Sequence, residues 1–287
     1  MSDTLARQDR LRALMLLSPA YLWLTVAVFL PLSAMAFFSF LTDLPFGGRQ
    51  WSITLANFAA FFQTPTYAIL LWKSLQLGLI VTLLCVIIAF PCAYVLAKVI
   101  KGRWREAMFL LVILPFWSNS LVRVFSWAIV LRGNGVLDRA VNAVLPWDVK
   151  VNLMFSQSAI VIGLVHSYLP YVILTAYLAL QALDDSLIEA ARSLGAKKRT
   201  ILWRIILPLS LPGLIAGAVL VFVPVVGSFM EPRLLGGRMG TYYGTVIEDQ
   251  FVAVFNWPLG AALSFILLAV VLVILAVASP VLRRAQI

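Results

Sequence analysis

Six long stretches of this sequence carry almost no charge, and they constrain the fold more than any other feature. A transmembrane helix requires about 20 mostly apolar residues, and each stretch is longer than that. Five contain no Asp, Glu, Lys or Arg, and the other is interrupted only by Arg123. The pattern predicts an all-α, polytopic membrane protein with six transmembrane helices. The stretches are residues 13–42, 74–97, 107–131, 151–183, 209–230 and 250–282.

The composition excludes an ordinary soluble domain. Of the 287 residues, 62% are apolar and 12% are charged, whereas soluble domains average roughly 45–50% and about 25%. A compact soluble chain of this length could not cover so much apolar surface. The stretch 13–42 is also too long for the apolar core of a cleavable signal peptide, which spans about 7–15 residues. We therefore expect it to be a retained first helix.

The basic residues predict the orientation in the membrane. The net charge is +10, but Lys and Arg lie in short segments between apolar stretches and form no continuous face for nucleic acid. With six spans, the N-terminus, residues 98–106, residues 184–208 and the C-terminus lie on one side. These segments hold 14 of the 22 Lys and Arg residues. The positive-inside rule then predicts that both termini are cytoplasmic.

The sequence contains none of the common enzyme motifs. It has one His and two Cys, no cluster with metal-ligand spacing, no paired carboxylates and no catalytic triad. The G-x-x-x-x-G-K-[ST] motif that binds the phosphates of ATP is also missing. We therefore expect no catalytic residue, no metal and no cofactor bound by this chain. If ATP drives its activity, hydrolysis must take place in a separate subunit.

The predicted cytoplasmic segment 184–208 reads DDSLIEAARSLGAKKRTILWRIILP. Apolar residues recur at helical spacing in its first half, and Asp184 or Ser186 can serve as the N-cap. Gly195 supplies the left-handed residue that ends a helix. A second amphipathic element is expected over 201–207. The segment is thus predicted to be a helix–turn–helix element.

Two interpretations of this element are open from its composition. A basic amphipathic segment between membrane helices can be an interfacial helix held by anionic headgroups. The small residues Ala190 and Ala191 beside Glu189 instead favour contact with another protein, because small side chains let a second backbone approach closely.

The same segment resembles the EAA motif of ABC importer permeases in residue type and spacing. In that family this loop forms the coupling helices that seat in a groove on the cytoplasmic ATPase subunit. The resemblance implies a type I ABC transmembrane domain over residues 68–282. It leaves 1–67 as a tail, first helix and first outer loop, and 283–287 as a cytoplasmic tail. The matching residues are Glu189, Ala190, Ala191, Gly195, Ile205, Leu207 and Pro208.

The family resemblance also implies partners and a mechanism. The chain would be a subunit of an importer in the bacterial inner membrane, in contact with membrane lipid and with no nucleic acid. It would work with a second homologous permease, two ATPase subunits and a periplasmic substrate-binding protein. ATP and Mg would be used by the ATPase subunits. Transport would proceed by alternating access, with the path between the two permeases.

A narrower resemblance concerns the substrate. Residues 18–32, 114–135 and 256–262 are similar to segments of spermidine/putrescine-type permeases, which implies a small cationic amine, a polyamine, as the substrate. Permeases for opines, other amino compounds, and iron or thiamine have similar helices, so these substrates stay open. A stand-alone secondary transporter would need internal ion sites and usually repeated halves. We find no repeat and few intramembrane acids, which disfavours that alternative.

A cationic amine that crosses a low-dielectric path needs anionic or aromatic partners. The aromatic residues could instead form an ordinary belt at the membrane interface, and the acids could contact a periplasmic binding protein. The candidates for the substrate path are Trp117, Phe125, Trp127, Tyr168, Tyr171, Glu231, Glu248 and Asp249.

Two further polar residues lie within the predicted spans. Arg123 would repel a polyamine, so we expect it to snorkel, to hold a neighbouring acid, or to stabilise the broken segment after Pro115. His166 is expected to be a buried, hydrogen-bonded residue, and a role in the path is the alternative.

The predicted topology can be tested with alkaline phosphatase fusions, because this enzyme is active only outside the cytoplasm. A fusion after Gly240 should be active, since residues 231–256 are predicted to lie outside. A fusion after Lys198 should be inactive. The reverse pattern would contradict both the orientation and the importer interpretation.

Overall fold

The computed structural model describes residues 2–44, 50–145 and 149–284, and this part of the chain is helical with no β-strand. Its only extended pairing is an isolated bridge between Leu41 and Ile53. The α-helices are α1 (Ser2–Ser39), α2 (Ala56–Gln63), α3 (Pro65–Tyr94), α4 (Arg103–Ile113), α5 (Ser120–Leu131), α6 (Val136–Val144), α7 (Gln157–Gln181), α8 (Asp185–Ser193), α9 (Lys198–Ile201), α10 (Leu207–Val226), α11 (Met230–Gly236), α12 (Tyr243–Val252) and α13 (Trp257–Arg284). Two π segments, Val95–Val99 and Leu202–Ile206, and two 3₁₀ segments, Leu114–Trp117 and Gly237–Gly240, join some of them.

The described residues contain five helical segments that are long and apolar enough to cross a membrane. A sixth crossing is made if the bent pair Arg103–Trp117 and Ser120–Val144 is one span. With that pair included, the predicted all-α membrane fold with six spans is confirmed. The five unbroken segments are Leu16–Ser39, Pro65–Val99, Gln157–Gln181, Lys198–Val226 and Trp257–Ser279.

The stretch 107–131 was predicted to supply one of the six spans, and in the structure it lies in a pair of helices that meet at 97°. Pro115 cannot donate a backbone hydrogen bond, which favours a break. Asn119 then starts a new helix, since its Oδ1 accepts the backbone N–H of Leu121 at 2.8 Å. Arg123 lies one turn later and donates from Nη1 to the Pro115 carbonyl at 3.0 Å. Hydropathy alone cannot distinguish this bend from a straight helix.

The chain forms two compact units. One unit comprises the described parts of 1–64 together with 249–266. In this unit α1 is followed by the segment that holds the bridge between Leu41 and Ile53. Asn57, in α2, donates from Nδ2 to the carbonyls of Ser39 and Leu41 at 3.1 and 2.8 Å. Phe40 and Phe58 pack with their ring centroids 5.3 Å apart. The aromatic residues after the first span therefore cover a turn of their own unit.

The other unit comprises 65–248 and the described part of 267–287, and its core is formed by α3, α7 and α10. Small residues bring these helices together, as expected where lipid supplies no hydrophobic driving force. A Cβ on Gly213 would lie 2.5 Å from Cβ of Ala179, and one on Gly78 would lie 2.5 Å from the Val226 side chain. The glycines therefore set the close approach of α10 to α7 and to α3.

The predicted outer loop 231–256 is mostly helical. Its 3₁₀ segment is attached to α3, because Lys73 Nζ donates to the carbonyls of Met239 and Thr241 at 3.1 and 3.0 Å. The uncharged stretch 74–97 was predicted to form this helix, but α3 begins nine residues earlier, at Pro65. Lys73 therefore lies inside α3. The sequence places this lysine outside the span only because it is charged.

Gly240 packs so tightly that a Cβ there would overlap the backbone carbonyl oxygen of Pro232. We expect Gly240→Ala to lower the stability by about 1–3 kcal/mol through overpacking. The measurement is thermal unfolding in detergent, followed by tryptophan fluorescence. Gly133→Ala is the matched control, because its Cβ would meet Asn152 at an ordinary 3.7 Å. Equal midpoints for the two variants would contradict the expected clash.

Candidate coupling loop and translocation path

Helix α8 begins and ends at the residues that the sequence predicts. Asp184 is its N-cap, with Oδ1 accepting the backbone N–H of Ser186 at 2.9 Å. Gly195 follows the helix at φ +80°. The N–H of Gly195 bonds to Arg192 O at 2.9 Å, and that of Ala196 bonds to Ala191 O at 3.0 Å. This pair of bonds is a Schellman motif, which requires the left-handed residue.

The second predicted element of the loop, 201–207, is not a separate amphipathic helix. Lys198–Val226 is one continuous helical segment, and Pro208 lies inside it. A π turn closes immediately before this proline, with the N–H of Leu207 bonded to Leu202 O. We attribute the continuity to this wider turn, which accommodates a residue that has a ring and lacks an N–H.

The structure divides the seven motif residues into an exposed group and an internal group. Glu189, Ala190, Gly195 and Pro208 are exposed. The other three pack partly against the core of the chain itself. The exposed group is therefore the part of the motif available to another subunit. The internal group comprises Ala191, Ile205 and Leu207.

Sequence reasoning missed the residue that attaches α8 to the spans. Lys98 Nζ bonds to Leu183 O and to Asp185 Oδ1, at 2.7 and 2.6 Å. The hydrogen bond from Lys98, together with its charge, lowers the pKa of Asp185. Both residues border a cleft of about 410 Å³ that Glu189 also lines. The signal was a lysine directly after an uncharged stretch, but 87 residues separate the partners.

Glu231 lies in α11 and is buried, with 7% of its surface exposed. Ser228 Oγ donates to Oε2 at 2.8 Å, and Ser167 Oγ donates to Oε1 at 3.3 Å. Both of these partners are neutral hydroxyl groups, which hold the carboxyl group in position and bring no positive charge to it. Because desolvation and the low dielectric strengthen electrostatic interactions, Glu231 is suited to attract a cation.

Helix α7 brings together several of the predicted path residues. Tyr171 lies between Tyr168 and Phe116, with centroid distances of 6.0 and 4.4 Å. His166 contacts Trp127 edge-on at 5.4 Å. Successive helical residues are about 100° apart, so the contacts of His166, of Ser167 with Glu231, and of Tyr168 involve different faces of α7.

Three predicted path residues have exposed side chains. Trp117 is 89% exposed, Phe125 is 54% exposed and Tyr171 is 37% exposed. In this described part of the chain they are available to lipid or to another subunit, in agreement with either sequence interpretation.

Arg123 and His166 border an apolar pocket of about 390 Å³ beside the helix break. The bond from Arg123 to the Pro115 carbonyl agrees with the predicted stabilising role after Pro115. Arg123 Nε and His166 Nδ1 are buried without a hydrogen-bond partner among the described residues. The expectation that His166 is hydrogen-bonded therefore fails at this nitrogen.

The remaining two predicted acids lie in α12. Glu248 Oε2 pairs with Arg233 Nη2 at 2.5 Å, so an internal cation already offsets its charge. Asp249 belongs to the other compact unit. Among the three acids, Glu231 thus has the clearest arrangement for contact with a cation.

Comparison with known proteins identifies the family. The profile of the family "binding-protein-dependent transport system inner membrane component" matches residues 89–285. The chain is 36% identical over 265 residues to the spermidine/putrescine transport system permease protein PotB of Haemophilus influenzae, covering 91% of this chain and 92% of that protein. It is 39% identical over 249 residues to PotB of Escherichia coli K12, covering 85% and 88%.

A solved structure has the same fold. The bacterial ABC transporter that imports the acidic polysaccharide alginate contains a chain that matches with a TM-score of 0.78 and 18% identity, covering 97% of this chain and 96% of that one. At this identity the match concerns the fold alone. Together with the family profile and the close relatives, it confirms the fold expected from the EAA resemblance. This chain therefore belongs to the family of inner-membrane permease subunits of binding-protein-dependent ABC transport systems.

Proposed function

We propose that this chain forms half of the translocation path of an ATP-driven importer for a small cationic amine of the spermidine/putrescine type. The observation that carries this proposal is the 36–39% identity, over 85–91% of the chain, to permeases named for spermidine and putrescine transport. The chain itself is a transport subunit. ATP and Mg are used by separate ATPase subunits, in keeping with the missing phosphate-binding motif.

Three kinds of partner complete the proposed importer. A second homologous permease supplies the other half of the path, two ATPase subunits lie in the cytoplasm, and a periplasmic binding protein delivers the amine. A solved alginate transporter of the same fold is in complex with its periplasmic protein, which supports this arrangement by analogy. Both termini are cytoplasmic in this proposal, as the distribution of Lys and Arg favours.

The loop at 184–208 is the proposed contact with an ATPase subunit. Glu189 and Ala190 are exposed in the middle of α8, and the Gly195 turn follows the end of this helix. A short exposed helix with a small residue and a fixed turn suits a groove on another protein. Closure of the ATPase subunits would displace α8 and so change the access of the path from one side of the membrane to the other.

Glu231 is the residue that we propose attracts the amine. Its carboxylate is buried, and the hydroxyls of Ser167 and Ser228 keep it in place. A primary or secondary ammonium group that passes near it can replace the solvation that this charge lacks. The aromatic rings of Tyr168 and Tyr171 offer cation–π contacts along α7, the helix that also carries Ser167.

We expect Gly195→Val to block ATP-driven uptake while the protein stays inserted in the membrane. A residue with a Cβ in the left-handed conformation costs about 1–2 kcal/mol, so the turn should change its shape. Apart from its two chain neighbours, no described residue comes within 4 Å of the added Cβ, so the substitution alters the exposed turn rather than the core. Co-purification of the ATPase subunits and substrate-stimulated ATP hydrolysis measure the effect.

Gly102→Val is the matched control for this experiment. Gly102 has φ +63° and also has open space around a Cβ, but it lies outside the EAA motif. The Gly102→Val variant should retain most of the uptake. Wild-type uptake in a stably inserted Gly195→Val variant would mean that the loop is an interfacial helix and not the coupling contact.

A second prediction tests the substrate. Glu231→Gln should keep the hydrogen-bonding shape of the side chain but remove its charge, and uptake of spermidine should fall about tenfold, which corresponds to about 1.4 kcal/mol. Initial rates of uptake into proteoliposomes give the measurement. Ser228→Ala keeps the charge, so it should reduce uptake less.

The matched control is Glu106→Gln, because Glu106 is an exposed acid in the first turn of α4. It should leave uptake unchanged. Unaltered kinetics in Glu231→Gln would remove Glu231 from the path. If calorimetry shows that the associated periplasmic protein binds an anion and no amine, the proposed substrate class is wrong.

A further inference from the structure

The Lys98 side chain connects three helical elements beside the coupling loop. Its Nζ donates to Leu183 O at 2.7 Å and to Asp185 Oδ1 at 2.6 Å. Leu183 follows the C-terminal end of α7, and Asp185 is the first residue of α8. Lys98 itself lies in the π segment at the end of α3. A single ammonium group thus joins the α7–α8 junction to the second span.

The π segment accounts for the position of this lysine. Its wide turn is closed by the N–H of Ile100 bonded to Val95 O at 3.0 Å, which places one more residue in the turn than an α-helix does. Each residue of an α-helix advances by about 100°, so the extra residue changes the face on which the next side chains lie. Leu96 and Ala97 remain buried while Lys98 reaches the junction.

Burial makes the two members of the ion pair unequal. The Lys98 side chain is 9% exposed, whereas that of Asp185 is 73% exposed. A buried ammonium group is strongly unfavourable without partners, so Lys98 depends on this junction much more than Asp185 depends on Lys98. Helix α8 buries Ile188 and partly buries Ala191 against the core. The Lys98 bonds add a polar attachment of the α7–α8 junction to the spans.

We propose that Lys98 is a positioning residue for energy coupling, which makes α8 move together with the ends of α3 and α7. The proposal rests on the proposed function, because it takes the loop at 184–208 as the contact with the ATPase subunit. A displacement of α8 pulls on Asp185 and Leu183 and, through the ammonium group, on the second span. Without Lys98, α8 can be displaced while the spans stay in place.

The test uses the complete transporter, reconstituted in proteoliposomes with its binding protein and spermidine. In Lys98→Met, which keeps a long apolar stem, the ATPase subunits should still co-purify and basal ATP hydrolysis should persist. Stimulation of hydrolysis by the loaded binding protein should fall about tenfold, and less amine should be transported for each ATP hydrolysed. A residue that only supports folding would change the amount of assembled complex, but it would not change the number of amine molecules transported for each ATP hydrolysed.

Several variants make the result specific. Lys98→Arg can still donate to both acceptors and should restore much of the coupling. Lys101→Met removes a positive charge from the same cleft without removing either bond, so it should behave as wild type. Asp185→Ala should uncouple in part, because the bond to Leu183 O remains. The double variant with Lys98→Met and Asp185→Ala should lose no more of the stimulation than Lys98→Met alone, because the two residues act through one ion pair.

Full stimulation in an assembled Lys98→Met complex overturns the proposal. An equal loss in Lys101→Met also overturns it, because the charge of the cleft and not the link would be responsible. If Lys98→Met does not assemble, full stimulation in Asp185→Ala overturns it instead. If Gly195→Val uncouples transport and Lys98→Met does not, only the role of Lys98 is wrong. If neither uncouples transport, the proposed role of the loop fails as well.

Discussion

Every backbone N–H and C=O inside a membrane must find a hydrogen-bond partner, and this requirement shapes the whole chain. Helices satisfy it locally, so the structure needs other means only where a helix ends or breaks. Basic side chains from the candidate spans serve such places, as three examples show. Arg123 bonds to the carbonyl of Pro115 at the broken span, Lys73 bonds to two carbonyls of the segment after α11, and Lys98 bonds to Leu183 O after α7. These charged side chains within or at the ends of the spans therefore complete the backbone bonding.

The hydrogen-bond partners of these cations differ from those of Glu231. The three basic residues bond to carbonyl dipoles, which partly offset their positive charge. Glu231 is buried and accepts hydrogen bonds from two serine hydroxyls. Glu248, by comparison, is paired with Arg233. Of Glu231 and Glu248, only Glu231 has no basic side chain among its described hydrogen-bond partners, and this arrangement agrees with the amine substrate proposed from the relatives.

Much of the fold and of the coupling loop could be predicted because the signals are local. The length of an uncharged stretch indicates a span, and Asp184 caps a helix that begins with the next residue. Gly195 and the bonds that surround it lie within five residues of one another. The 97° bend was not predictable in this way, because other prolines of this chain lie inside unbroken helices, as Pro170 does in α7.

The sequence by itself determined the helical membrane fold, the number of crossings and the turn that carries the EAA motif, since hydropathy, capping and left-handed glycine act over a few neighbouring residues. The tertiary structure decided which motif residues face outward, that Lys98 holds α8, and that Glu231 is bonded to Ser167 from 64 residues away. These contacts depend on which faces of separate helices meet. That choice is made by packing of small residues and by the pairing of buried polar groups, and neither leaves a periodic signal along the chain.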